Sequence, residues 1–263
     1  MEVSEALGRL VCGEPEVGSA LAEVLEHSRS MVIALATEVE NLRRSTELGC
    51  PVSQEPTQIA LLGPFFGRSL LELCLTALLG RFDPFRVLLL REMQMRPDYA
   101  PGKRNLASIQ WAGDIHADRK IEDLWKADRS LKDMPRALLG DYYEHLFWQR
   151  AFRKLLDHVP DGRGGDWMLE LRRLDADGFV PSMRRITSTL YSSCSKGVHH
   201  EFVIPLSGYY DPINIKSILD DGVKTISILA FVGNASLEIH SRLSIDDALA
   251  CFEKIQECLN VAN

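Results

Sequence analysis

The residues best able to do chemistry in this chain are gathered in one stretch, Ser192-Ser193-Cys194-Ser195-Lys196-Gly197-Val198-His199-His200-Glu201. Lys196 stands three residues before His199 and four before His200, so on a helix either pair shares a face. Glu201 can fix a histidine tautomer through the second ring nitrogen. Such a group can hold a phosphate and pass a proton, which is the chemistry of RNA cleavage. The candidate catalytic residues are therefore His199, His200, Lys196 and Glu201. Arg184 and Arg185, on the segment leading into the stretch, are the candidate substrate-binding residues. The same residues have a structural reading. Cations near a helix C-terminus complement its dipole, with Gly197 as the stop.

The elements that must position these groups read as helices. From Val17, the positions Leu21, Val24, Ser28, Met31, Leu35, Val39 and Leu42 recur at steps of three and four, which predicts one long amphipathic helix. Residues 1–15 read as a lead-in to it, and Leu48-Gly49-Cys50-Pro51 as its stop. Thr57 to Leu79 predicts a second helix, bent at Gly63-Pro64 and followed by a turn over Gly80-Arg81-Phe82. Asp83-Pro84 opens a short apolar helix to Met95. The run of leucines from Leu70 to Leu90 covers nearly all faces, so these two elements are expected at the centre of the core.

Residues 98–117 are irregular and long enough to cover a site. Helices are expected over 118–132 and 135–158, then a glycine-rich break at 161–166. A short helix follows over 167–174, and another from Pro181 to about Ser195. Asp211-Pro212 and Ser244 with Asp247 start the last two. The β-branched run 222–232 is the one strand competitor. The fold class expected is all-α: one bundle of roughly eight to ten helices forming a single domain over 1–263, with a minor boundary at 160–166 as the alternative.

Other chemistries fit poorly. His199, His200 and Glu201 are adjacent and lack HxxxH or HExxH spacing, so no metal is expected. His116 with Asp114 and Asp118 is a weaker grouping. Gly162-Arg163-Gly164-Gly165 lacks the lysine and serine of a phosphate loop, and no cofactor is implied. The tryptophans, with Tyr142 and Tyr143, read as packing residues.

Composition sets the frame. Net charge is −7, from 30 Lys and Arg against 37 Asp and Glu, which argues against non-specific binding of nucleic acid or anionic membranes but leaves room for a local basic cleft. Six cysteines without a CxxC pair are expected to be reduced thiols in a cytoplasmic protein. Apolar stretches such as Ile59 to Leu79 are broken by glycine, proline and charge, so no membrane partner is expected.

The Ser195-Lys196-Gly197-Val198-His199 element ending a helix, in a helical chain, resembles the HEPN superfamily. That resemblance implies a helical bundle of bacterial stress or antiviral defence, often a metal-independent ribonuclease whose signature arginine precedes a histidine by a short spacer. Here Ser192, Ser193 and Cys194 occupy the arginine positions, and only Arg153 with His158 has the spacing. The function expected is contact with RNA or a nucleotide, through a site that lacks part of the signature. A homo-oligomer would let Arg184 or Arg185 meet the histidines across an interface. The alternative is a non-enzymatic acidic adaptor or inhibitor that acts on a protein partner.

Overall fold

A computed structural model describes residues 1–46, 56–100, 107–199 and 210–260. Among these residues the fold is all-α. Ten helices are present and no strand: α1 Val3–Cys12, α2 Ala20–Ser45, α3 Pro56–Phe82, α4 Pro84–Gln94, α5 Asp141–Tyr143, α6 Gln149–His158, α7 Gly165–Leu171, α8 Ala176–His199, α9 Pro212–Asn234 and α10 Ile245–Asn260. A π-helical segment, Glu144–Trp148, joins α5 to α6. The expected stop at residues 48–51 lies outside the described residues.

The centre is formed by α3 and α9. α3 packs against α2, α8 and α9, while α9 packs also on α1 and α10. Leu70, Leu71, Cys74, Leu75, Leu78 and Leu79 of α3 are buried, as is every residue of α9 from Thr225 to Asn234. Burial on all sides explains why the β-branched run 222–232 is helical, since packing overrides a weak local preference. α3 is long and apolar enough to cross a membrane by length and composition, and in this fold it serves as a core helix. Phe231 stacks on Phe252 at 4.5 Å and Phe152 on Phe179 at 4.8 Å, which ties α9, α10, α6 and α8 into one core.

Several boundaries differ from the sequence expectation, each for a physical reason. Residues 3–12, read as a lead-in, form a buried helix whose Gly8 lies against α2, where a Cβ would come within 2.8 Å of Ile33 Cγ1. α4 is peripheral, not central. Only its Val87 is buried, and Phe85, Leu89 and Met93 face outward. Residues 118–130 are irregular and 131–133 make one 3-10 turn: none of them is buried, Leu131 is exposed and Trp125 meets Tyr142 and His145 edge-on, so the segment has no buried face to hold a helix. The helix expected from Pro135 begins at Asp141. α3 runs on through Gly80-Arg81-Phe82 instead of turning. α8 starts at Ala176 and carries Pro181 as its sixth residue, past the first turn, so the helix continues there without the i→i−4 bond to Asp177 O. It also continues past Gly197 to His199, so Gly197 is not a helix stop.

The starts marked by strong local chemistry match. Ser244 Oγ accepts from Asp247 N at 3.0 Å, and Asp211 Oδ1 accepts from Asn214 N at 2.9 Å. Asp83 precedes α4 as expected, but its carboxylate makes no cap. It is held by Arg136 at 2.7 Å instead.

Arg81 closes the far end of α3. Its guanidinium is fully buried and donates to the carbonyls of Leu10, Val11, His240 and Ser241 and to Asn234 Oδ1, at 2.8–3.3 Å. These include the terminal carbonyls of α1, which have no partner within their own helix. Burial pulls the Arg81 pKa down to about 10, so the group stays charged at neutral pH.

Candidate functional site

One face of α8 carries the polar groups. Thr187, Tyr191, Ser195 and His199 recur every four residues and so line up along the helix. Against this face lies the irregular segment around Trp111. That segment is folded tightly by backbone bonds, with Gly113 at φ 98° donating to His116 O at 2.7 Å. Asp114 O and Ile115 O accept from Leu138 N and Leu139 N at 2.8 and 2.9 Å. The result is an aromatic stack. Trp111 lies on Tyr191 with centroids 4.0 Å apart and on His116 at 4.9 Å.

His116 Nε2 is 2.9 Å from Thr187 Oγ1. The Thr187 hydroxyl already donates its hydrogen to Met183 O at 2.8 Å, so Nε2 must be the donor to Thr187. Burial, with the Arg184 charge adding to it, pulls the His116 pKa down to about 4. The ring is therefore neutral at pH 7.

The other half of the site comes from α3. Arg68 Nε donates to Glu72 Oε1 at 3.1 Å, Nη2 donates to Tyr191 Oη at 2.9 Å, and Nη1 lies 3.4 Å from His199 Nε2. Its guanidinium carbon is 4.8 Å from the Tyr191 ring centroid. An arginine can only donate, so His199 Nε2 is the acceptor in this contact, which places the ring hydrogen on Nδ1. These contacts use one hydrogen on each guanidinium nitrogen. The second hydrogens of Nη1 and Nη2 can take an incoming oxygen, and the side chain is 24% exposed.

Small residues allow the approach. A Cβ on Gly197 would sit 2.4 Å from Pro64 Cγ, and one on Gly67 3.3 Å from Cys194 Sγ. Without these glycines α3 and α8 would stand further apart and Arg68 would lose His199. Ser195 Oγ, between Tyr191 and His199 on the same face, is buried with no hydrogen-bond partner among the described residues.

The sequence-derived residues fall in different places. His199 ends α8, exposed and beside Arg68; Lys196 is exposed on the same last turn of α8. His200 and Glu201 lie outside the described residues. Arg184 is fifteen residues from His199 along α8, roughly 22 Å at 1.5 Å per residue. It is held by Leu139 O at 2.8 Å, Asp141 at 3.2 Å and Glu144 at 3.5 Å. Arg185 is exposed. Arg153 and His158 point to separate acids, Asp177 and Asp246. Among the described residues no group of His, Cys, Asp and Glu could hold a metal ion. The His116 grouping is broken up, because Asp114 is paired with Arg86 while His116 faces Thr187.

Sequence reasoning missed Arg68, Glu72, Tyr191 and Trp111. One signal was available: Arg68 and Glu72 are charged residues spaced i, i+4 inside the most apolar helix, where charge demands a partner.

Two recesses flank the stack. A cleft of about 670 Å³ lies between α2, α3, α4 and residues 108–115, and Trp111 and Glu72 belong to its wall. A polar recess of about 900 Å³ lies on the other side of residues 108–114, with Arg86, Arg119, Lys132 and Arg136 facing Asp114, Asp118 and Asp133. The irregular segment expected to cover a site thus borders both. Comparison with protein-family models, with curated proteins and with solved structures finds no match to this chain.

Proposed function

We propose that this chain is a HEPN-like cytoplasmic protein of bacterial stress or antiviral defence that contacts RNA or nucleotide phosphate at the corner formed by Arg68, Lys196 and His199. The observation that carries this reading is the 3.4 Å approach of Arg68 Nη1 to His199 Nε2. The arginine that is missing from the local spacing is available from another helix. In this reading Arg68 and Lys196 hold the phosphate oxygens, and Trp111 and Tyr191 offer an aromatic edge to a base. If cleavage occurs, His199 moves the proton and Arg68 stabilises the charge that builds on phosphorus-bound oxygen.

The test compares purified wild type with Arg68→Ala and His199→Ala on total RNA, scoring both cleavage and retention on a filter. Cleavage that falls by about 100-fold or more in both variants supports a nuclease. Retention lost in Arg68→Ala and kept in His199→Ala supports a phosphate contact without cleavage. Indistinguishable behaviour of all three proteins removes the reading.

A second reading, an adaptor or inhibitor acting on a protein partner, is favoured by one observation. Phe85, Leu89 and Met93 form an outward apolar stripe on α4, at 64%, 48% and 42% exposure. Replacing Leu89 and Met93 with serine would then abolish co-purification of a partner while RNA retention stays unchanged.

A further inference from the structure

The 670 Å³ cleft is a concave site that adjoins the Arg68 corner and shares Glu72 and Trp111 with it, and its volume lies in the range that takes a small organic molecule. We infer that it binds small lipophilic cations, molecules with an apolar, aromatic body and one positive charge. The wall supplies the apolar part of this recognition. Val24 and Leu35 come from α2, Leu73 from α3, Leu90 from α4, and Ile109 and Trp111 from the irregular segment. This wall explains a discrepancy in α2. Of the stripe read from the sequence, Val39 and Leu42 enter the core, whereas Val24, Ser28, Met31 and Leu35 line the cleft.

Charge selects the sign of the ligand. Glu23 and Glu72 stand on the rim, 61% and 42% exposed, with the imidazole of His27 nearby. The one arginine in the wall, Arg91, is paired with both Glu23 and Glu92, so its charge is already balanced. Counting Glu23, Glu72 and Glu92 against Arg91 and Arg68 leaves one negative charge in excess beside an apolar surface. There a cation is attracted more strongly than in open water. The Trp111 indole adds an electron-rich ring to the wall. Ser28, Ser69 and Thr76 offer hydroxyls to a polar substituent.

The experiment uses two ions of the same shape and opposite charge. Tetraphenylphosphonium and tetraphenylborate are each dialysed to equilibrium against the full chain at moderate salt. We expect the phosphonium to bind at least about tenfold more tightly than the borate, and Glu23→Gln with Glu72→Gln to remove most of that preference. Met31→Trp and, separately, Met95→Trp fill the cleft from exposed positions that the fold tolerates, and each should weaken phosphonium binding by about tenfold at an unchanged melting temperature. Borate binding as tight as phosphonium binding overturns the inference. So does phosphonium binding that both tryptophan variants retain, or self-association without probe that both variants abolish, since a second copy would then fill the cleft. Met31→Trp and Met95→Trp leave the Arg68–Glu72 pair in place, unlike Glu72→Gln, so the tryptophan variants separate this result from the RNA assay.

Discussion

Two arginines on the same helix, thirteen residues apart, do opposite things. Arg81 is sealed in the core, and all its hydrogen-bonding directions end on neutral oxygens: four backbone carbonyls and one amide. Arg68 sits at a partly open seam and touches a carboxylate, a phenol and an imidazole. The first arrangement fixes chain ends in place and has no capacity left over. The second keeps hydrogens to give and reaches a group that can carry a proton. What separates a structural arginine from a functional candidate is the saturation and chemistry of its acceptors, and burial alone would rank them the wrong way round.

The largest test of this contrast is Arg81→Met. It strands buried carbonyls of α1 and of the turn before α10 without a donor, and unsatisfied buried groups each cost about 1–3 kcal/mol. We expect a loss of at least about 3 kcal/mol in urea unfolding, close to the limit of what a domain can lose and still fold. A loss below about 1 kcal/mol would mean that the Arg81 network is incidental. Arg81→Lys should recover little, because an ammonium cannot reach the same set of acceptors as the planar fork.

Next in size is Gly197→Ala. Its methyl would collide with the Pro64 ring, which sits in a helix and cannot swing aside. Overpacking of this kind costs about 1–3 kcal/mol. The change should also push the end of α8 from α3 and separate His199 from Arg68. If RNA retention falls as far as in Arg68→Ala while the fold survives, the seam itself positions the site. Unchanged stability would show that the contact between α3 and α8 relaxes freely.

How much of this could be read beforehand depends on whether the signal was local. Asp211-Pro212 and Ser244 with Asp247 announced α9 and α10 because caps act within four residues. The lysine and histidine element was visible for the same reason. The helix expected over 118–132 failed because amphipathic spacing is necessary but not sufficient. No residue from 118 to 133 is buried, and Trp125 meets Tyr142 and His145 only edge-on. α4 failed in the opposite sense, being apolar enough for the core yet placed at the rim. Arg68 and Tyr191 are 123 residues apart, and their contact exists only once α3 and α8 cross at Gly67 and Gly197. No spacing rule could pair them.

His116 gives a smaller effect with a defined sign. Its folded pKa, about 4, lies below the ordinary 6.5, so between these values the unfolded chain binds more protons than the folded one. The stability tied to neutral His116 is complete above pH 6.5 and is lost as pH falls toward 4. Given partial exposure we expect on the order of 1 kcal/mol across that window. His116→Phe keeps a ring against Trp111, and Thr187 keeps its bonds to Met183 and Arg184. The slope of unfolding free energy against pH should therefore flatten over that range. Glu144, whose pKa burial raises, acts in the other direction and serves as the internal control, since its contribution stays in both proteins.

The change in stability expected at Arg68 itself is also small, and that smallness completes the contrast with Arg81. Its ion pair with Glu72 is an i, i+4 pair at a partly exposed seam, of the kind that contributes about 0.3–0.5 kcal/mol. The tyrosine bond adds about 1 kcal/mol at most. Arg68→Ala should thus unfold within about 1.5 kcal/mol of wild type while losing RNA retention, and Arg68→Lys should restore charge without restoring the fork that spans Tyr191 and His199. The decisive comparison is between those two variants. If lysine rescues retention fully, the site needs only a positive charge. If it rescues stability but not retention, the planar geometry between Tyr191 and His199 is what the ligand reads. If Arg68→Ala destabilises as much as Arg81→Met, the two arginines are the same kind of residue and the seam is structural.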